Sequence, residues 1–128
     1  MLVVDDESVV REVVVKYLRR EGYRTLEAGD GDAAVALVEH EHPDLVVLDL
    51  LMPRMTGFDV LRELRQDERV KDTPVLAMSG VYKENILEFL HQIGASGFLD
   101  KQQLDESLIF RVQALLDHPA APAAPTVS

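Results

Sequence analysis

Short apolar runs alternate along the chain with longer segments in which apolar residues recur every three or four positions. The apolar runs are Leu2 to Val4, Thr25 to Ala28, Leu45 to Leu48, Pro74 to Met78 and Gly97 to Leu99. Several runs are continuous and do not alternate with polar residues, which is typical of strands covered by helices on both faces. Strands that alternate with helices predict a parallel sheet with crossover helices.

Candidate caps and apolar spacing place a helix after each strand. We expect helix one from an N-cap at Ser8 to Gly22, helix two after Asp30, helix three after Gly57, helix four over about Lys83 to Ile93, and helix five over about Leu104 to Leu116. The predicted inward stripe of helix one is Val10, Val13, Val14, Tyr17 and Leu18. A strand over Val13 to Val15 is the alternative, but the segment's length and charged opposite face favour a helix.

Right-handed crossovers in one short domain leave few arrangements for five strands. We predict a doubly wound α/β sandwich of three layers with the strand order 2-1-3-4-5. In such a sheet, ligands bind beyond the carboxyl ends of the strands where the winding reverses, here beside strands one and three.

The composition fits one domain and excludes several classes of partner. We assign the domain to residues 1–118 and interpret residues 119–128, rich in proline and alanine, as a linker or disordered tail. The formal charge of -10 disfavours direct binding to nucleic acid or to an anionic membrane. The sequence has no cysteine, no signal-peptide pattern and no membrane-spanning apolar stretch, so we expect a soluble cytoplasmic protein.

Polar residues stand at the carboxyl ends of four predicted strands. Asp5 and Asp6 follow strand one, Asp49 ends strand three, Ser79 ends strand four, and Asp100 and Lys101 end strand five. Three carboxylates at one edge repel one another and need a cation, and oxygen ligands without His or Cys suit Mg²⁺, or Mn²⁺ in its place. A carboxylate beside Mg²⁺ can attack phosphorus to form an acyl phosphate, with lysine and hydroxyl groups contacting the phosphoryl oxygens.

Taken singly, each of these residues has an ordinary explanation. Asp5, Asp6 and Glu7 also favour the N-terminus of helix one through its dipole, and Asp49 can start a loop before Pro53. A serine or a lysine beside a loop is commonplace. Their joint placement at one edge of the sheet favours a site.

The motifs VVDDE, residues 3–7, and DLLMPRMTG, residues 49–57, resemble those of the receiver domain of two-component response regulators. The resemblance covers residues 1–117. This family has a flavodoxin-like fold with the same strand order, so the predicted order is not independent of the resemblance. The resemblance implies Asp49 as phosphoacceptor, Asp6 as direct Mg²⁺ ligand, Asp5 as a helper partly through water, the Leu51 carbonyl as a further ligand, Ser79 and Phe98 as switch residues, and Lys101 as the phosphate-contacting lysine.

The resemblance implies a phosphorylation-dependent signalling switch that is not an enzyme, with only its own phosphorylation and dephosphorylation as chemistry. A sensor histidine kinase or phosphotransfer protein would donate a phosphoryl group from phosphohistidine to Asp49. Ser79 and Phe98 would then move and reshape the face of helix four, strand five and helix five. That face would bind a downstream protein or output domain, or form a homodimer, and Phe110, predicted to point outward, is a candidate contact.

The sequence departs from the family pattern in three respects. Gln102 follows Lys101 where the family usually has proline, often after a cis bond; because a cis bond before a non-proline residue costs about 2.5–4 kcal/mol, we predict a trans bond and an altered loop. Leu51 and Val81 are apolar where relatives often carry polar groups, so we predict slow loss of the phosphoryl group. Strand one starts almost at Met1, so we expect upstream residues to be missing from this sequence.

Three alternatives remain open. A Mg²⁺-dependent phosphatase or phosphomutase normally has a second acid two residues after its aspartate nucleophile, where this chain has Leu51. A nucleotide-binding flavodoxin-like domain would have a glycine-rich loop after strand one, which the sequence lacks. A pseudo-receiver acting as a phosphorylation-independent interaction module would be expected to lose the acids, the hydroxyl and the lysine that this chain keeps.

Overall fold

The computed structural model of the protein describes residues 1–80 and 86–117. Over these residues the strands are β1 Leu2–Val4, β2 Leu26–Ala28, β3 Val46–Asp49, β4 Val75–Ser79 and β5 Gly97–Asp100. The helices are α1 Ser8–Arg20, α2 Gly31–Glu41, α3 Gly57–Gln66, α4 Ile86–Gln92 and α5 Glu106–Asp117, with a short 3-10 helix at Lys101–Gln103. None of the described helices is long and apolar enough to cross a membrane.

The five strands form one parallel sheet in the order β2-β1-β3-β4-β5, so the predicted fold class and strand order are confirmed. The register pairs Asp49 with Met78 and Ser79 with Asp100. The last residues of β3, β4 and β5 therefore lie side by side at the carboxyl edge of the sheet.

Two apolar layers cover the sheet, one on each face. Val3 and Val47 pack with Val14 and Leu18 of α1 and with the buried face of α5. The alternate strand residues, such as Val46, pack with α2, α3 and α4 on the other face. The continuous apolar sequences of the central strands follow from this arrangement, because successive apolar residues enter one layer or the other in turn.

Three strands extend one residue beyond their apolar runs, and Asp49 and Ser79 end β3 and β4 as predicted. Asp49, Ser79 and Asp100 are the last residues of their strands, although the runs end at Leu48, Met78 and Leu99. Main-chain pairing continues past the last apolar side chain, as shown by the hydrogen bond of 2.9 Å from the Leu50 amide to the Met78 carbonyl.

The start of α1 differs from the prediction by one residue. Glu7, and not Ser8, is the N-cap, because the Asp5 carboxylate accepts a hydrogen bond of 2.9 Å from the Glu7 amide and turns the chain early. The segment is a helix and not a strand, but Val13 is 36% exposed and Val15 is buried in its place. The helix is therefore rotated relative to the predicted stripe.

The cap of α2 is the predicted Asp30, whereas α3 begins one residue earlier than predicted. The Asp30 carboxylate accepts from the Ala33 amide at 2.8 Å. At α3, Thr56 and Asp59 form a reciprocal capping box, so the helix begins with Gly57 itself.

The last part of the fold shows two further differences. α5 begins at Glu106, later than predicted, because the Asp105 carboxylate accepts from the Ser107 amide at 2.8 Å in the manner of an N-cap. No described peptide bond is cis, so the predicted trans bond before Gln102 is confirmed. The predicted start of helix four at Lys83, the position of Val81 and the tail 119–128 lie outside the described residues.

Candidate functional site

Asp5, Asp6 and Asp49 meet at the carboxyl edge of β1 and β3. One carboxylate oxygen from each residue lies within 4.8 Å of the other two. Asp5 and Asp49 are buried, whereas Asp6 is exposed. The pairing of Val4 with Leu48 brings them together, because the residues that follow this pair share one edge.

Lys101 places one positive charge between the two buried acids. Its Nζ lies 2.9 Å from Asp5 Oδ2 and 3.2 Å from Asp49 Oδ1. It also donates a hydrogen bond of 3.4 Å to Glu7 Oε1. Burial lowers the pKa of Lys101, but the hydrogen bonds and charges of Asp5 and Asp49 outweigh it, so the net direction is upward and the ammonium stays protonated.

The two oxygens of Asp49 have different surroundings. Oδ1 pairs with Lys101 and accepts a hydrogen bond of 3.3 Å from the Leu51 amide. Oδ2 is buried, and no hydrogen-bond donor in the described part of the chain reaches it. Burial, reinforced by the charge of Asp5, raises the pKa of Asp49 to about 6 against the opposing effect of Lys101.

The acid cluster has the chemistry of a site for a hard divalent cation. Apart from its ion pair with Lys101, Asp5 Oδ2 has no partner among the described residues, and the same region holds the free oxygen of Asp49. A buried carboxylate oxygen without a partner is costly, and oxygen donors of this kind fit Mg²⁺. One lysine cannot neutralise three carboxylates, so the residues present fit a bound cation.

A close approach of two backbone segments holds Asp49 in place. The Gly57 amide donates a hydrogen bond of 3.0 Å to the Leu50 carbonyl. A Cβ at Gly57 would collide with the carbonyl oxygen of Asp49 and lie 2.7 Å from Leu50 Cα. The final glycine of the DLLMPRMTG motif therefore lets α3 begin directly against the end of β3.

The other predicted residues occupy three different surroundings. Ser79 is buried at the same edge, one position beyond the partner of Asp49, and the Leu51 side chain is 54% exposed at the rim. Phe98 pairs with Ala77, deeper in the sheet, and packs half-buried against the layer that contains α4. Phe110 is 74% exposed on α5 and does not belong to the site.

Two side chains near the acids were not predicted to act there. Glu7 contacts Lys101, and Arg11 donates a hydrogen bond of 2.7 Å to the backbone carbonyl of Asp5. Their separation of one helical turn puts both on the same side of α1. The four-residue spacing of Glu7 and Arg11 was the only feature of the sequence that could have indicated their place beside the acids.

The comparisons agree with this geometry. The family model of the response regulator receiver domain matches residues 1–113. The chain is 38% identical to the probable transcriptional regulatory protein TcrX of Mycobacterium tuberculosis, covering 91% of this chain and 49% of that protein. It is 34% identical to the chemotaxis protein CheY of Pseudomonas aeruginosa, covering 91% of this chain and 95% of that protein.

A solved structure of the chemotaxis response regulator CheY4 of Vibrio cholerae superposes with a TM-score of 0.83 at 31% identity, covering 89% of this chain and 95% of that one. The chain spans about half the length of the first curated relatives that it matches. Receiver domains of this family are regulatory switches of two-component signalling. With the family model over most of its length, the parallel sheet of order 2-1-3-4-5 and the acid cluster at its edge, the chain belongs to the response regulator receiver family.

Proposed function

We propose that the protein is a phosphorylation switch in which Asp49 accepts a phosphoryl group from a phosphohistidine of a sensor histidine kinase or phosphotransfer protein. The observation that carries this proposal is the buried Asp49 Oδ2, which has no described hydrogen-bond donor and lies in a cluster with Asp5, Asp6 and Lys101. An Asp49 oxygen forms a bond to phosphorus while the phosphorus–nitrogen bond breaks and its electron pair stays on the imidazole. The product is an acyl phosphate.

The residues around Asp49 have two roles, which are to hold the metal ion and to contact the phosphoryl oxygens. Asp6, Asp49, the Leu51 carbonyl and Asp5, partly through water, would hold Mg²⁺, which supplies positive charge for the phosphoryl oxygens when bound. Lys101 keeps Asp49 ionised at neutral pH and can pass from Asp49 to a phosphoryl oxygen. Because the Asp49 side chain is 2% exposed and that of Lys101 15%, movement of the lysine makes room for the donor.

The signal would pass from the phosphoryl group to the face of α4, β5 and α5. In this proposal the Ser79 hydroxyl binds a phosphoryl oxygen, and Phe98 follows it inward because it is half-buried beside the layer that contains α4. Receivers of the curated relatives make up about half of longer regulators, so the target is an output domain or a separate protein. Residues 1–118 would then be the receiver, and 119–128 the linker or tail.

Intact mass spectrometry after incubation with a small phosphodonor tests the acceptor directly. Wild type should gain the mass of one phosphoryl group when Mg²⁺ is present and none when it is chelated. Asp49→Asn should gain nothing. The matched control is Asp100→Asn, which changes the last residue of β5 at the same edge and should be phosphorylated like wild type. No gain in wild type would favour the pseudo-receiver alternative.

Phe110 supplies a test of the output face. Its aromatic ring is 74% exposed on α5, and contact with a second copy or a target would bury that surface. Sedimentation of the phosphorylated protein should show weaker self-association for Phe110→Ala than for wild type if a homodimer forms there. Unchanged self-association would argue against the dimer and leave a separate target as the partner of this face.

A further inference from the structure

Arg11 lies beside the acid cluster without a part in the proposed phosphoryl transfer. Its side chain is 21% exposed, its Nη1 donates a hydrogen bond of 2.7 Å to the Asp5 carbonyl, and its Nε pairs with Glu27 Oε1 at 3.2 Å. We propose that Arg11 is a positioning residue that orients the peptide between Asp5 and Asp6 for binding a divalent cation, a role that rests on the proposed function.

The carbonyl that Arg11 binds belongs to the peptide unit joining the two acids. Successive side chains of an extended strand point to opposite faces, so Asp5 and Asp6 can direct oxygens toward one ion only if the backbone turns between them. Their oxygens lie within 4.8 Å of each other and of an oxygen of Asp49, so the backbone has made this turn. The Glu7 amide, bound to Asp5 Oδ1 at 2.9 Å, holds one side of the turn, and Arg11 holds the other.

Arg11 acts where the neighbouring strand stops. The Asp5 amide donates a hydrogen bond of 3.1 Å to the carbonyl of Ala28, the last residue of β2. Beyond that point the Asp5 carbonyl is bound by Arg11 Nη1, which would lie 3.4 Å from a Cβ built at Gly29. The guanidinium therefore takes the place of a strand amide, and Glu27 fixes its planar group through a charge-assisted hydrogen bond.

A positioning role and a purely electrostatic role predict opposite effects of removing this side chain. The positive charge of Arg11 repels a cation, so charge alone would make Arg11→Met bind Mg²⁺ more tightly than wild type. Loss of a group that orients metal ligands weakens binding, typically by 10–100-fold. We therefore expect Arg11→Met to raise the Kd for Mg²⁺ by about 10-fold or more.

The experiment measures the Mg²⁺-dependent rise in Tm of the full chain, with each variant compared with its own metal-free Tm. A purely structural loss cancels in this comparison, because the rise depends on the ratio of metal concentration to Kd. The matched control is Arg19→Met. Arg19 lies about 12 Å further along α1 and donates through Nε to Thr25 Oγ1 at 2.8 Å. The Kd of Arg19→Met for Mg²⁺ should equal that of wild type.

A second measurement separates binding from chemistry. In phosphorylation by a small phosphodonor, the Mg²⁺ concentration that gives half the maximal rate should rise about 10-fold for Arg11→Met. The rate at saturating Mg²⁺ should stay close to that of wild type, because Arg11 does not contact the acceptor. A loss that persists at saturating Mg²⁺ with an unchanged half-saturation would overturn the proposal.

Arg11→Lys keeps the charge with one compact donor and should give a Kd between those of wild type and Arg11→Met. If Arg11→Met does not fold, this variant decides: a Kd equal to or below that of wild type overturns the positioning role. If wild type binds Mg²⁺ and Arg11→Met binds it with equal or higher affinity, only the positioning role of Arg11 is overturned. Wild type without any Mg²⁺-dependent rise in Tm overturns the proposed metal site and this role together.

Discussion

Gly57 begins α3 in direct contact with the main chain of Asp49. A Cβ on Gly57 would collide with the Asp49 carbonyl oxygen and lie 2.7 Å from Leu50 Cα, so this position has no room for a side chain larger than hydrogen. The contact joins the start of a helix to the residue proposed to accept the phosphoryl group. It makes the geometry of Asp49 dependent on a residue eight positions later in the sequence.

Gly57→Ala should therefore destabilise the protein, although alanine is the better helix former. We expect a loss of about 1–3 kcal/mol in the free energy of unfolding, because backbone atoms cannot give way as side chains do. The matched control is Gly31→Ala, at the first residue of α2, where the added Cβ would meet the flexible Met55 side chain at 2.6 Å. Urea unfolding should show a smaller loss for Gly31→Ala, and an equal loss would contradict the importance of the Asp49 contact.

The raised pKa of Asp49 predicts a pH-dependent difference in stability between wild type and Asp49→Asn. Folding raises the pKa of the Asp49 carboxyl group to about 6. Such a group stabilises the folded state at pH values below its usual pKa, and this contribution is lost as the pH rises through 6. In chelator at pH 7, Asp49→Asn should therefore be more stable than wild type by about 1–2 kcal/mol, and near pH 4 the two should be alike.

Adding Mg²⁺ at pH 7 should reduce this difference, because the ion stabilises ionised Asp49 in the wild type and finds one ligand fewer in the variant. Urea unfolding at several pH values, with and without Mg²⁺, measures both effects. A difference that does not change between pH 4 and pH 7 would mean that Asp49 does not titrate in this interval.

Arg65 should stabilise two loops that lie away from the acid cluster. Its guanidinium donates hydrogen bonds to the carbonyls of Gly94 at 2.9 Å, Lys71 at 3.0 Å and Thr73 at 2.8 Å, tying the end of α3 to the loops before β4 and β5. Because these bonds involve a charged donor, Arg65→Met should lower the free energy of unfolding by about 2–3 kcal/mol in urea unfolding.

Arg62→Met is the matched control for Arg65, because Arg62 lies one turn earlier on α3 and pairs with Asp59 at 3.2 Å on the surface. Removing this exposed pair should change stability by less than about 1 kcal/mol. Hydrogen exchange should increase around Gly94 in Arg65→Met only. Equal effects of the two substitutions would show that Arg65 does not brace these loops.

If Asp49 is phosphorylated as proposed, the side chain of Leu51 should prolong the lifetime of the acyl phosphate. This side chain is 54% exposed beside Asp49, where an apolar group cannot orient an attacking water. Leu51→Asn should speed the loss of the phosphoryl group by about tenfold, equivalent to about 1.4 kcal/mol in the barrier. Intact mass followed over time after removal of the donor measures this rate. Equal rates in wild type and variant would contradict a role for Leu51 in excluding water.

Much of the site was predictable because it depends on strand ends. Once the chain is recognised as alternating strands and helices, residues that follow parallel strands must share one edge, which brings Asp49 near Asp5 and Asp6. Lys101 joins them by the same rule. The roles of individual residues came from the resemblance to the family and remain proposals.

Element boundaries and helix phases were less predictable. Ser8 is not a cap because a carboxylate two residues before Glu7 captures that residue's amide, and Val13 is exposed although its spacing fits the inward stripe. Both outcomes depend on neighbours that are set by packing, and apolar spacing within one helix cannot reveal them.

The sequence by itself determined the order of strands and helices, the placement of polar groups at the carboxyl ends of the strands, and the motif that places a glycine after Asp49. These features are local, or follow from rules common to all parallel sheets. Only the tertiary structure decided that Lys101 bridges Asp5 and Asp49, that one oxygen of Asp49 is left without a described donor, and that Arg11 binds the Asp5 carbonyl. The reason is that distances of about 3 Å between residues far apart in sequence depend on register, helix rotation and side-chain conformation together, and no single segment of the chain specifies all three.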